Sequence, residues 1–594
     1  MKLDTLTHLN NKQPKRTTNR IGRLLSAGVF CVFALSMAAQ PQMPQPVPMA
    51  DVNTGGELSQ RISQNFKRLE ETKYQPAHVF LTDEQSNGWP GDTEGRTILG
   101  LTLDAQTSHR EPVYLDSIIH LIPAHLNELG YMGTVYADGI INEQQISGNG
   151  WMLRGLCEYY QWKKDPKVLD VIKSTVHNLF LRGKGHYAQY PIDPAERRAN
   201  VGAESGSIQN TVNGWMLSSD VGCVFIGMEG LIHAYTLLKE PEIAEVIEEM
   251  IGRFLQMNLV EMKAQTHASL TACRGLIRYA LATGNAKYIE DARKRFELYI
   301  GDGMTENFEN YNWFDRFDTW TEPCAVVDSY MVASQLWQCT GNPRYRDIAE
   351  RIYYNGLCSD QRWNGGFGTN NCPGVGAGTP YLAVSADEAH WCCTMRGGEG
   401  LSRVAEYAYY TDSDNTLWIN HYGTSSAKVA LGGGELTLMQ TTDYPFDNRV
   451  SVKVLGNTCG KVTLKFAMPA WVYGFKLVIN NEEAPVTLKD GFAAVTRDFK
   501  RGDDLQLTFE MRSGIEPTIN AKNTGKWNKK AFFGPLVLGH DGDEIALPDS
   551  AELRQTGRME WQVGSTSIML TPVYHLMDRA VTKDNGYRKQ ILFE

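Results

Sequence analysis

Residues Gly155–Val176 read GLCEYYQWKKDPKVLDVIKSTV. Apolar residues recur at helical spacing, a short turn carries Asp165 and Pro166, and a second amphipathic run follows. The same design returns in GLIHAYTLLKEPEIAEVIEEMI from Gly230, in GLIRYALATGNAKYIEDARKRF from Gly275 and in SYMVASQLWQCTGNPRYRDIAERIY from Ser329. The pentapeptide NGWML occurs twice, at Asn149 and Asn213. A helical hairpin cannot bury its apolar face alone, so recurring hairpins imply a stacked or closed α/α array. Closure suits a single catalytic cavity; an open solenoid is the alternative. Helical periodicity extends on both sides of the repeats, from about residue 57 to 412, and includes ELSQRISQNFKRLEE and YLDSIIHLIPAHLNEL.

Beyond about residue 415 the period changes to two. TLWINHY, ELTLMQTTDY, RVSVKVLG, KVTLKFAMPAW and DLQLTFEMR are short alternating strands between turn signals. That pattern predicts a β-sandwich over 415–514. Residues 515–594 are mixed, with a strand-like AFFGPLVLG, and read as a further β-rich module or the completion of the sandwich. The fold class expected is multidomain α + β.

The amino terminus carries a different signal. Lys12, Lys15, Arg16, Arg20 and Arg23 precede the apolar LLSAGVFCVFALSMAA of Leu24–Ala39, which ends in small residues. Residues 1–39 thus read as a signal peptide, too short for a comfortable membrane span, and the chain as periplasmic or secreted. Residues 40–56, which contain QPQMPQPVP, read as a Pro-rich linker, and 57–414 as the helical catalytic domain. No later stretch reads as a membrane span. The net charge of −10 over 594 residues, without a basic tract beyond the amino terminus, argues against a nucleic-acid partner.

Chemistry concentrates in two places. Glu388–Arg396 reads EAHWCCTMR, with Cys392 and Cys393 adjacent. In an exported chain such a pair is a vicinal disulfide, two bridge partners, metal ligands or a nucleophile. Upstream, GMTENFENYNWFDRFDTWTEPCAVVDSY holds Glu306, Glu309, Glu322 and Cys324. Glu322 and Cys324 form E-x-C just before a helical run, and the cysteine pair also precedes one. Two helix entrances can therefore offer one carboxylate and three thiols to one point, a donor set that suits tetrahedral Zn2+. Cys157, Cys223, Cys273 and Cys339 fall in helical apolar patterns and read as buried thiols.

These residues resemble glycoside hydrolase family 127, the β-L-arabinofuranosidase family. The likeness runs through G-x-x-E-x-F at Gly303–Phe308, T-E-x-C-A at Thr321–Ala325, RDIAERIYYNGL, the cysteine pair, TDYPFDNRVSVKV, VTLKFAMPAW and FFGPLVLG. It covers most of residues 110–540. The resemblance implies a six-hairpin (α/α) barrel followed by β-sandwich modules, and a retaining exo-glycosidase acting on plant cell-wall oligosaccharides. It implies Cys392 as nucleophile, Zn2+ held by Glu322, Cys324, Cys392 and Cys393, and Glu306 as acid/base, with Glu309 the alternative. His267 falls at a substrate-binding histidine of the family. Trp151 stands where the family usually has a sugar-contacting histidine.

One departure bears on the substrate. Thr394-Met395-Arg396 replaces the Pro-Pro-Asn that often follows the family's cysteine pair. Some relatives release aceric acid, a carboxylated sugar of rhamnogalacturonan II, and Arg396 is a candidate to pair with such a carboxylate, the alternative being an ordinary helix-surface arginine. The rival readings are a two-carboxylate hydrolase or lyase using residues such as Asp92 and Glu94, and a glycan-binding protein with structural zinc.

Overall fold

The computed structural model describes residues 43–80, 88–197, 206–575, 577 and 580–594, so the expected signal peptide lies outside the described residues. Helices dominate the first part: α1 (Gly56–Arg68), α2 (Asp92–Ser108), α3 (Leu115–Leu121), α4 (Glu143–Lys163), α5 (Pro166–Thr175), α6 (Val224–Leu238), α7 (Pro241–Gln256), α8 (Thr266–Thr283), α9 (Lys287–Asp302), α10 (Pro323–Thr340), α11 (Pro343–Ile352), the single turn α12 (Cys358–Asp360) and α13 (Cys393–Glu406).

The sequence repeat has a local cause. Lys164, Lys239, Gly284 and Gly341 take left-handed backbone conformations, with φ of 58°, 57°, 75° and 69°, and end α4, α6, α8 and α10. The next helix starts at once. Asp165 accepts from Lys167 N, Asn285 from Lys287 N and Asn342 from Arg344 N. Pro166, Pro241 and Pro343 fill first-turn positions where no intrahelical N–H is needed. Each hairpin is thus closed by a left-handed residue and, in three cases each, by a polar side-chain cap and a proline; Glu240, ahead of α7, makes no side-chain cap.

Packing follows from the faces. α7 buries Ile243, Val246, Ile247, Met250, Ile251 and Phe254, one stripe at helical spacing, and presents charge elsewhere. α2, α4, α6, α8, α10 and α13 are buried far more completely, and each packs on the next in that order, with α13 returning to α2. α5, α7, α9 and α11 pack behind their own partners, and α1 lies on both α13 and α2. Glycines set the closest approaches. A Cβ on Gly155 would stand 2.3 Å from Gly95 O, and one on Gly230 would stand 2.3 Å from Gly150 O. The glycine that opens two of the sequence repeats is therefore where inner helices touch backbone to backbone.

The β-rich part holds three larger sheets. A seven-stranded sheet is centred on Arg449–Asn457, Gly434–Thr442 and Asp504–Met511. A six-stranded sheet includes Tyr409–Thr411, Thr416–Ile419, Val462–Ala467 and Phe492–Arg497. Another runs from Ser513–Pro517 through Lys529–Phe533 and Leu536–Gly539 to Leu553–Gly557. The chain end comes back to the helical part: Arg588–Gln590 pairs antiparallel with Tyr381–Ala383, in the segment between α12 and α13.

The expected linker at 40–56 needs correction over its described part. Gln45–Pro46 pairs with Tyr410–Thr411, and Val52–Thr54 pairs with Ser425–Ala427, so this stretch adds a strand to each of two sheets. Val47 and Val52 are buried, which supplies the apolar anchor that composition alone concealed.

Candidate active site

Two helix entrances converge. Glu322 immediately precedes α10 and Cys324 lies in its first turn; Cys392 immediately precedes α13 and Cys393 opens it. The donor atoms of all four lie within 4.8 Å of one another. Cys392 Sγ is 3.2 Å and Cys324 Sγ 3.6 Å from Cys393 Sγ. A disulfide holds its sulfurs at about 2.05 Å, so the adjacent pair is not one, and every described cysteine is a free thiol. Tetrahedral Zn2+ with Zn–S of about 2.3 Å separates its sulfurs by about 3.8 Å. The cluster therefore has the donors and nearly the spacing such an ion needs.

Electrostatics favour a cation there. Burial opposes ionisation of Cys324, yet hydrogen bonds to Cys392 and Cys393 and the charge of Arg96 hold its thiol well below the usual range. Cys392, hydrogen-bonded to Cys324, and the more buried Cys393 are pushed well above it. Burial and the neighbouring Cys324 also push Glu322 up. A divalent cation at these donors would favour ionisation of all of them. The support is built in. Asn310 Oδ1 accepts from Glu322 N at 2.8 Å, and Asn312, with its amide turned to satisfy both partners, donates to Glu322 Oε2 at 2.7 Å. Arg96 Nη1 donates to Cys324 Sγ at 3.3 Å while Asp92 holds the same guanidinium at 2.6 and 3.0 Å.

The cluster lies beside a cavity of about 560 Å³. α2 contributes Asp92 and Arg96, α8 contributes His267, and Asp220 and Gln265 line it between. Trp89, Trp320 and Trp391 present aromatic surface to the same space. His267 Nδ1 lies 2.8 Å from Asp328 Oδ2, and Arg274 Nη1 lies 2.6 Å from Asp328 Oδ1. Burial opposes the Asp328 charge, but Arg396 and Arg274 outweigh it and hold this carboxyl far below its usual range.

Three expected site residues are placed elsewhere. Trp151 is fully buried and does not line the cavity. It stacks parallel to His267 at 5.7 Å, and the guanidinium groups of Arg96 and Arg396 lie over its ring at 4.1 and 4.5 Å. Arg396 is fully buried, bound to Asp328 and Glu399, and has no approach to a ligand carboxylate. Glu306 turns away toward the carboxy-terminal sheet: Lys530 Nζ lies 3.0 Å from its Oε2 and Asn520 N donates to its Oε1 at 2.6 Å. Glu309 is no substitute, being buried against Asn370 and Ser359. The Glu306 acid/base expectation fails because Lys530, 224 residues away, claims the carboxylate.

Sequence reasoning passed over Arg96, Asp220 and Asp328. Asp92 and Arg96 stand at i, i+4 spacing, and Asp328 lies four residues after Cys324 on α10, so both pairs share a helix face with a singled-out residue. Asp220 follows β-structure and carried no such signal.

Residues 255–406 match the family model for the GH127 β-L-arabinofuranosidase catalytic domain, and residues 416–511 match that for the GH127 middle domain. The first match contains all four members of the cluster. A helical catalytic part with β-rich modules behind it, bearing this match, makes the protein a glycoside hydrolase. The chain belongs to glycoside hydrolase family 127 and is β-L-arabinofuranosidase-like. Solved structures agree on the fold. A GH127 β-arabinofuranosidase aligns with a TM-score of 0.67 at 15% identity, over 93% of this chain and 97% of that one. A GH127 β-L-arabinofuranosidase from Geobacillus stearothermophilus T6 aligns with 0.64 at 16%, over 91% and 99%. No curated protein sequence matches the chain.

Proposed function

We propose that the protein is an exported, retaining exo-glycosidase that removes a terminal L-furanoside from plant pectic glycans. Cys392 is the nucleophile, and Glu322, Cys324, Cys392 and Cys393 would hold Zn2+. The observation that carries this reading is the carboxylate and three thiols within 4.8 Å beside a sugar-sized cavity, inside the catalytic-domain match. The closed cycle of six inner helices supports a six-hairpin (α/α) barrel, and the seven- and six-stranded sheets of alternating strands support a β-sandwich behind it. The basic and apolar segments of residues 1–39 support export.

Bound at these donors, Zn2+ would keep the sulfurs deprotonated near neutral pH. The remaining work belongs to the chain. Cys392 Sγ attacks the anomeric carbon; the bond from that carbon to the leaving oxygen breaks, and a cavity carboxyl protonates this oxygen. The same carboxylate then takes a proton from water, whose oxygen attacks the anomeric carbon and returns the electron pair of the C–S bond to sulfur. Two displacements retain configuration. With Glu306 turned away, Asp92 and Asp220 are the cavity carboxylates outside the metal-ligand set, and we assign the proton step to one of them.

The sugar favoured is β-L-arabinofuranose. Among the described residues lining the cavity the arginine is Arg96, and Asp92 already engages it, whereas Arg396 is buried elsewhere. The test compares a terminal β-L-arabinofuranoside with an aceric-acid-terminated rhamnogalacturonan II oligosaccharide, with mass spectrometry of the trapped enzyme. Arabinose release and a glycosyl adduct on Cys392 are expected. Preference for the acid sugar overturns the sugar assignment. An unsaturated, ultraviolet-absorbing product, or binding without turnover, overturns the mechanism.

A further inference from the structure

We infer that Trp391 is the platform on which the leaving-group sugar stacks, and so selects what the enzyme accepts beyond the scissile bond. The inference rests on the glycosidase reading above and deepens it. Three consecutive residues span the cavity from floor to mouth: Cys393 is 1% exposed, Cys392 half-buried and Trp391 49% exposed. Cys393, Cys324 and Glu322 lie on the buried side, so the Cys392 thiol is presented from the floor. Displacement at the anomeric carbon is in line, so the leaving oxygen departs away from sulfur, toward the mouth. The rest of the leaving group must pass the residues of the rim, and among the described lining residues Trp391 is the large exposed side chain.

The exposure is not a consequence of a slack loop. Ala389 N donates to Phe367 O at 2.8 Å, and Ala389 O accepts from Cys393 N at 3.0 Å. Glu388 is ion-paired with Arg68 of α1 and accepts from Thr394 Oγ1 at 2.9 Å. The His390 ring stands against the Trp391 indole at 5.0 Å and 75°. A large apolar ring held in the open on an anchored turn, one residue from the nucleophile, marks a binding surface. An indole face is electron-rich and flat; the C–H face of a saccharide ring is apolar and slightly positive. The chemistry that fits is therefore a sugar leaving group rather than a small alcohol.

The experiment measures kcat/KM for a β-L-arabinofuranosyl disaccharide and for methyl β-L-arabinofuranoside, with wild type, Trp391→Ala and Trp391→Phe. The disaccharide-to-methyl ratio is expected to fall roughly 10- to 100-fold in Trp391→Ala, with partial recovery in Trp391→Phe. A ratio unchanged from wild type overturns the Trp391 assignment while the glycosidase reading stands. Wild-type protein that hydrolyses neither substrate overturns the reading beneath it, and the inference with it.

Discussion

Lys530 Nζ stands 3.0 Å from Glu306 Oε2, and both side chains are buried. The contact ties the loop between α9 and α10 to the carboxy-terminal sheet. It makes Glu306 a structural anion, because Lys530 and Asn520 N hold its two oxygens on the side of that sheet, away from the residues that line the cavity.

Glu306→Gln is therefore expected to destabilise the fold by about 3 kcal/mol, since it leaves Lys530 buried without its main counter-charge. Turnover per folded molecule should persist at low temperature. Thermal unfolding and kcat measured on the same preparation check this. An unchanged melting temperature with kcat reduced about 1,000-fold would return Glu306 to the acid/base role.

Cys392→Ser is expected to lower kcat about 10,000-fold or more while leaving the far-UV spectrum and the fold intact, because a neutral hydroxyl is a poor nucleophile where a thiolate is required. Near-wild-type kcat in this variant, measured on a terminal β-L-arabinofuranoside, would remove Cys392 from the mechanism.

Arg96 joins Cys324 to Asp92 and lies over the Trp151 ring, so it both charges and orients one side of the cluster. Arg96→Gln should weaken zinc binding about 10- to 100-fold, the usual effect of removing a group that orients a ligand. Competition with a chromogenic chelator reads the affinity directly. Equal affinities in wild type and variant would confine Arg96 to packing.

The sequence carried the pattern of the fold and the first layer of the site. Hairpins were legible because Asp165-Pro166, Asn285 and Asn342-Pro343 act locally through caps and fixed φ. The Glu322–Cys324 and Cys392–Cys393 pairs were legible because each sits at a helix entrance, where few side-chain directions are available. What escaped depends on partners distant in sequence. The ties of Glu306 to Lys530 and of Arg396 to Asp328 arise only when the helices close and the last sheet docks. Gln45–Pro46 read as linker because strand pairing with Tyr410–Thr411 leaves no trace in a Pro-rich composition.

Asp92 and Asp220 can be separated by leaving-group dependence. Burial pushes the Asp92 carboxyl up against the opposing charge of Arg96, which suits a proton donor. The acid/base variant, Asp92→Asn or Asp220→Asn, should lose about 100- to 10,000-fold on a disaccharide and far less on an aryl glycoside whose leaving group needs no proton. If both variants lose activity equally on the two substrates, neither residue delivers the proton.

The last prediction concerns stability rather than chemistry. Glu350 lies on α11, and burial raises its carboxyl to about 7. An exposed glutamate titrates at about 4.3, so the folded state holds this proton more tightly than the unfolded chain. The stabilisation is complete below about pH 4.3 and is lost as pH rises through about 7, at most about 4 kcal/mol in all. Glu350→Gln keeps the shape and removes the titration. Urea unfolding at pH 5 and pH 8 should show the variant gaining about 1–3 kcal/mol on wild type between the two conditions, and a difference that does not change with pH would mean that Glu350 is already ionised in the folded protein.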